Sequence, residues 1–188
     1  MKKCSLIGLT AFLLVLAACN RLRPERSYEV VGDSTAIVQK AFNADSGKVR
    51  VLMLVSPTCG VCLRGASDVT EDILKRKRGT NISVYVVWVP RLHALEKNVS
   101  PATGVVATSW AKQYWDGHDL LGEQYREVLD WNDSAWDVYM LYGPKARWTG
   151  DVPPTPDYFM HQTSERGPRL EASVFGMRLE QLLMETQH

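Results

Sequence analysis

Two cysteines separated by two residues, Cys59-Gly60-Val61-Cys62, stand where an apolar run ends and a helical pattern begins. Upstream, Val51 to Val55 is a continuous β-prone run, so residues 48–55 read as a buried strand. Downstream, Val61, Gly65, Val69, Ile73 and Leu74 fall at helical spacing, which predicts a helix running to about Arg78 with those residues on its core face. A strand that passes into a helix at a cysteine places that cysteine at the helix N-terminus. Unpaired N–H groups and the helix dipole there favour the thiolate. Cys62 lies one turn on, within reach to close a disulfide with Cys59 or to resolve a mixed one.

With Ser56-Pro57-Thr58 as the turn leading into it, this arrangement resembles the active site of the thioredoxin superfamily. The resemblance implies an α/β thioredoxin fold, a central mixed β-sheet flanked by helices. It implies Cys59 as the more exposed nucleophile and Cys62 as the resolving thiol, with the redox-active disulfide in place of any cofactor. Pro57, Thr58, Gly60 and Val61 would form the active-site turn. Gly60-Val61 departs from the Gly-Pro pair of thioredoxin itself, and residues there tune the thiolate and hence the potential. The family also places a cis-proline opposite the disulfide, at the start of the strand before the terminal hairpin. The matching segment is Pro153-Pro154-Thr155-Pro156, directly before the strand expected at 157–161, so Thr155 and Pro156 are expected to position the partner chain. Six residues before Cys59, where thioredoxins carry a buried acid, this chain has Met53. The Cys62 proton would then need water or another group.

The remaining pattern suits one domain over residues 28–188. A first strand is expected at 28–31 and a helix at 34–42, capped by Asp33 or Ser34. Residues 82–89 read as a strand stopped by Pro90. Residues 91–148 exceed what a minimal thioredoxin domain needs and read as a helical insertion before the cis-proline strand. It would carry helices at 107–115 and 120–131, and a helical turn or a strand at 135–141. A strand at 157–161 would turn at Gly167-Pro168 into a second one at 169–172. The terminal helix at 176–186 would face Met177, Leu179, Leu182 and Leu183 inward. Trp131, Trp136, Tyr139, Tyr142 and Trp148 read as core, with Trp148 nearest the active-site rim.

The N-terminus has a short basic stretch, Lys2-Lys3, and an apolar run over 6–16 too short to span a bilayer comfortably. Its ending, Leu16-Ala17-Ala18-Cys19, resembles the lipobox of bacterial lipoproteins. That resemblance implies a cleaved signal peptide over 1–18, a lipidated Cys19 and a polar tether over 19–27. The mature protein would be extracytoplasmic and lipid-anchored on the periplasmic side, with Asn20 favouring the outer membrane. Cys4 would leave with the signal, so the mature domain keeps only the close pair and has no structural disulfide framework. The chain has 22 basic and 21 acidic side chains, which gives no electrostatic case for nucleic acid. The partners implied are protein thiols or disulfides and an upstream redox protein. Two other readings are a non-catalytic binding or redox-sensing module, and copper delivery with His161 near the pair. Leu63 directly after Cys62 excludes covalent haem attachment, and the four histidines lack zinc-site spacing.

Overall fold

The computed structural model describes residues 27–76, 81–106, 111–164 and 166–185; Cys19 and the lipobox-like segment lie outside them. The strand before the cysteines is the centre of the molecule. All seven residues of β2, Val49–Val55, are buried. Val49, Val51, Met53 and Val55 face one core, and Leu52 and Leu54 face the other. A strand covered on both faces has no polar side to alternate with, which is why this stretch is apolar almost throughout. Each fully buried Val or Leu contributes about 1.5–3 kcal/mol.

On one side of β2 lies parallel β3, Ile82–Trp88, followed by parallel β4, Ala111–Trp115, and the short parallel β1, Glu29–Val30. On the other side lie β5, Val138–Tyr142, antiparallel to β2, and β6, Tyr158–His161, antiparallel to β5. The described residues thus form a six-stranded mixed sheet of order β1-β4-β3-β2-β5-β6. Helices α1, Ala36–Ala44, and α4, Leu120–Val128, cover one face through Val38, Phe42, Leu121 and Tyr125. Helices α2, Gly60–Arg76, and α5, Ala172–Met184, cover the other through Cys62, Ala66, Val69, Phe175 and Leu179. A short α3, Val99–Ala102, lies between β3 and β4. No helix among the described residues is long and apolar enough to cross a membrane.

The expected central mixed sheet flanked by helices is present, but the middle of the chain departs from the expected helical insertion. Within 91–148, α4 is helical as expected and β5 takes the strand alternative open at 135–141, whereas β4 is a strand where a helix is expected at 107–115; both strands belong to the main sheet. Ala111-Lys112-Gln113 are good helix formers. Pairing with β3 and burial of Gln113, Tyr114 and Trp115 override that preference. The terminal hairpin is likewise β5–β6, not 157–161 with 169–172; only Arg169 makes a single bridge, to His161. Helix α2 turns its core face through Cys62, Ala66, Val69 and Ile73, which leaves Val61 54% exposed. Met177 of α5 is also exposed, at 51%. Helix α1 begins after Thr35 rather than at Asp33 or Ser34.

These pairings separate two ends of the sheet. At one end β2, β3, β4 and β6 finish and β5 starts, which brings the loops around Cys59, Arg91, Asp119, Asp137 and Gln162 together. The opposite end is purely architectural. There Arg50, fully buried, donates to the carbonyls of Phe42, Gly143 and Ala146, and its guanidinium lies 4.3 Å over the Phe42 ring. Burial pushes the Asp45 carboxyl up, yet hydrogen bonds from Lys112, Tyr85 and Lys48 outweigh it and hold the group well below the usual carboxylate range. Trp148 belongs to this end, packed edge-on to Phe42 with its backbone tied to Asn43, and not to the active-site rim.

Candidate active site

Cys59 directly precedes α2, and its carbonyl accepts the Leu63 N–H at 3.0 Å, the first helical hydrogen bond. Its sulfur receives the Cys62 backbone N–H at 3.1 Å, as the oxygen of a helix N-cap would. The two cysteines are joined in a disulfide with Cα atoms 5.2 Å apart. Cys59 keeps 5% of its surface exposed and Cys62 none. On reduction, the helix dipole and the Cys62 amide both favour negative charge on Cys59.

Hydroxyl groups hold the turn before the pair. The Ser56 hydroxyl donates to the Arg91 carbonyl at 2.7 Å, and the Thr58 hydroxyl lies 3.2 Å from the Arg91 and Leu92 carbonyls. Pro57 is buried, while Thr58, Gly60 and Val61 are exposed. The facing loop carries two consecutive left-handed residues, Leu92 at φ 54° and His93 at φ 59°. Non-glycine residues resist that conformation at roughly 1–2 kcal/mol each, so the loop depends on the contacts that pin it. A further pin is the Arg91–Asp119 ion pair at 2.9 Å, with Ser134 donating to the same Asp119 carboxyl at 2.7 Å. Leu92 is 54% exposed, so apolar surface flanks Cys59 on the loop side as Val61 does on the helix side.

Thr155 and Pro156 are not part of this site. They precede β6, whose first residue Tyr158 is level with Leu141 and, through it, with Val51. That is the architectural end of the sheet, about 13 Å of strand from Val55 at about 3.3 Å per residue. Every peptide bond among the described residues is trans, Thr155–Pro156 included, which corrects the expected cis bond. In the β5–β6 connector nothing opposes the ordinary trans preference of about 0.5–1 kcal/mol. Strand order is the physical reason. The antiparallel neighbour of β2 is β5, so the residues opposite the disulfide come from its start.

Those residues are Trp136 and Asp137, which lie inside the stretch expected as a helical turn or a strand and come just before the strand that forms there. Asp137 is fully buried and left-handed, with φ 54°. Its Oδ1 lies 3.1 Å from the Tyr139 hydroxyl, and that hydroxyl lies 3.0 Å from the Cys62 carbonyl oxygen. With its amide oriented so that nitrogen faces acceptors, Gln162 donates to Asp137 Oδ1 at 2.9 Å and to the Val61 carbonyl at 3.1 Å. Burial pushes the Asp137 carboxyl up to about 6, although hydrogen bonds from Tyr139 and Thr163 pull the other way. Its folded value therefore exceeds the ordinary unfolded one, and the stability it contributes is greatest below about pH 4 and is lost as pH rises through about 6. A sequence cue existed, since an acid abuts the apolar run Val138 to Tyr142. It carries meaning only once that run is recognised as a central strand.

Gly65 makes this network possible. A Cβ there would meet the Tyr139 hydroxyl and the Gln162 side chain, and would sit 2.9 Å from Leu170 Cδ2. Gly65→Ala is expected to lower stability by about 1–3 kcal/mol in denaturant unfolding. Gly60→Ala, where nothing lies within 4 Å, should be neutral or slightly stabilising. Equal stability of the two variants would contradict the close approach of α2 to Tyr139.

His161 is buried with Nε2 3.0 Å from the Gly167 carbonyl and its ring edge-on to Trp131. Among the described residues no group of three His, Cys, Asp or Glu side chains is arranged to hold a metal ion. A cleft of about 310 Å³ lies beside Trp136 and Thr163, lined also by Trp131, Ser134 and Arg166.

No family model matches the chain, and no curated protein does. Among solved structures it is similar to a secreted Mycobacterium tuberculosis disulfide oxidoreductase homologous to E. coli DsbE, at 12% identity and TM-score 0.48, covering 73% of this chain and 84% of that one. It is similar to M. tuberculosis DsbF, at 14% identity and TM-score 0.49, covering 74% and 84%. It is also similar to a candidate protein disulfide isomerase of Bacteroides thetaiotaomicron, at 16% identity and TM-score 0.48, covering 78% and 80%.

Proposed function

We propose that the protein is a lipid-anchored, extracytoplasmic thiol:disulfide oxidoreductase that exchanges disulfides with protein partners through Cys59 and Cys62. The observation that carries this reading is the Cys59–Cys62 disulfide at the N-terminus of α2, with the Cys62 amide aimed at the Cys59 sulfur. In the reduced protein, the Cys59 thiolate attacks one sulfur of a partner disulfide, and the other partner sulfur leaves as thiolate. Cys62 then attacks Cys59 Sγ, the mixed disulfide breaks, and the partner departs reduced. Run in reverse, the same steps oxidise a partner dithiol. Exposed Val61 and Leu92 supply apolar surface on either side of the attacked bond. The anchor rests on Leu16-Ala17-Ala18-Cys19 and its likeness to a lipobox.

The test is equilibrium titration of the purified protein against glutathione and dithiothreitol, followed by turnover of a protein disulfide. A potential near about −270 mV assigns it as a reductant, and one near about −120 mV as a donor of disulfides. A pair that equilibrates with neither reagent, or never turns over a protein substrate, removes the oxidoreductase reading. Mass spectrometry of the membrane-extracted protein checks the anchor. A mature chain beginning at acylated Cys19 is the expected result.

A further inference from the structure

Asp137 is a fully buried acid whose carboxyl is met by the Tyr139 and Thr163 hydroxyls and the Gln162 amide, neutral donors that leave the desolvation of its ionised form uncompensated. It is joined to the redox pair by a hydroxyl that has two acceptors and one proton. Tyr139 stands between Asp137 Oδ1 and the Cys62 carbonyl at nearly equal distances, 3.1 and 3.0 Å, and can donate to only one at a time. Burial first, and Asp137 second, push the phenol far above its ordinary range, so it keeps its proton and stays a donor. When Asp137 is ionised, that proton is drawn to the carboxylate. When Asp137 is neutral, its own O–H serves Tyr139, and the Tyr139 proton is free for the Cys62 carbonyl. Gln162 links the same carboxyl to the Val61 carbonyl, inside the Cys59–Cys62 turn.

We propose that Asp137 is a positioning residue that takes up the proton released when the Cys59–Cys62 disulfide is reduced, coupled to the pair through Tyr139 and Gln162. This rests on the oxidoreductase reading and adds the proton's destination. A partner dithiol gives two electrons and two protons and leaves as a disulfide. The Cys59–Cys62 bond breaks, Cys59 becomes a thiolate, Cys62 takes one proton as a thiol, and the Asp137 carboxylate takes the other. Charge balances, one negative group before and one after. The physical drive is that a thiolate at Cys59 and a carboxylate at Asp137 disfavour each other in a desolvated site.

Among the described residues, the groups that face Asp137 add no compensating cation. Its own strand presents Tyr139, and the loop after β6 presents Gln162 and Thr163. Helix α2 presents backbone carbonyls, while Asp68 adds negative potential at Tyr139. Arg169 donates to the Gln162 backbone carbonyl.

The experiment is the pH dependence of the equilibrium between the full-length protein and dithiothreitol. Above about pH 6, where Asp137 is ionised in the oxidised form, wild type should take up one proton more than Asp137→Asn. The two constants should therefore diverge tenfold per pH unit, about 30 mV. Tyr139→Phe keeps the carboxyl and should narrow that window. Superimposable wild-type and Asp137→Asn profiles overturn the inference and leave the oxidoreductase reading standing. Should Asp137→Asn not fold, or the pair not equilibrate with dithiothreitol, the Asp137 carboxyl is titrated by carbon-13 NMR in the oxidised and the phosphine-reduced wild-type protein. A titration midpoint that rises on reduction supports the proposal, and one that does not move overturns it.

Discussion

Cys59→Ser is expected to abolish disulfide exchange, and Cys62→Ser to convert the protein into a trap for its own partners. The two cysteines are chemically alike, and their surroundings make them different. The Cys59 sulfur sits at the N-terminus of α2, receives the Cys62 amide at 3.1 Å, and is the one of the two with exposed surface. A serine hydroxyl there stays protonated at neutral pH and forms no disulfide, so the loss should be of the size seen when an enzyme's nucleophile is removed, on the order of 10⁶-fold. Cys62→Ser keeps the backbone amide that stabilises the Cys59 thiolate, so attack proceeds. No second thiol remains to release the partner, and the mixed disulfide accumulates. The measurement is non-reducing electrophoresis with mass spectrometry after mixing each variant with a protein disulfide. A Cys62→Ser variant that turns over at the wild-type rate would falsify the assignment of Cys62 as the resolving thiol.

The second large effect lies at the opposite end of the sheet and concerns stability alone. Arg50→Met should cost about 3 kcal/mol. Methionine matches the length of the aliphatic stem but donates nothing to the Phe42, Gly143 and Ala146 carbonyls. Each buried carbonyl stripped of its donor costs about 1–3 kcal/mol, partly offset because the guanidinium no longer has to be desolvated. In a chain of this size that corresponds to a drop of roughly 6–12 °C in the thermal midpoint. Arg50→Lys should recover only part of the loss, since one ammonium cannot span three carbonyls held by a planar fork. The Cys59–Cys62 potential should not change, because Arg50 is paired with Tyr142 at the far end of β2. An unchanged unfolding midpoint would mean that the cage of carbonyls is satisfied by other means.

The contrast between these two ends marks what was legible in the chain. Local chemistry placed the cysteine pair. An apolar run long enough for one buried strand, a Ser-Pro-Thr turn and a helical period afterwards are all short-range facts, and β2 with α2 appears where they put it. The same short range explains β3, rich in β-branched and aromatic residues. It also explains the errors of phase on α2 and α5, where Val61 and Met177 sit one position outside the buried stripe.

Strand order was beyond the reach of such patterns, because which strands become neighbours is decided by packing between segments far apart in the chain. Val138 to Tyr142 is equally apolar as a helical turn or as a strand, and only its pairing with β2 makes it the strand opposite the disulfide. That one pairing moves Thr155 and Pro156 to the wrong end of the sheet and brings Asp137, Tyr139 and Gln162 to the right one. It also makes Asp137, an acid with no assigned role in the sequence pattern, a buried one raised to about 6. The sequence by itself determined where the sulfur chemistry sits, since a thiolate at a helix N-terminus is a local arrangement. Only the tertiary structure decided which other groups surround it, since desolvation and hydrogen bonding across strands exist only once those strands have met.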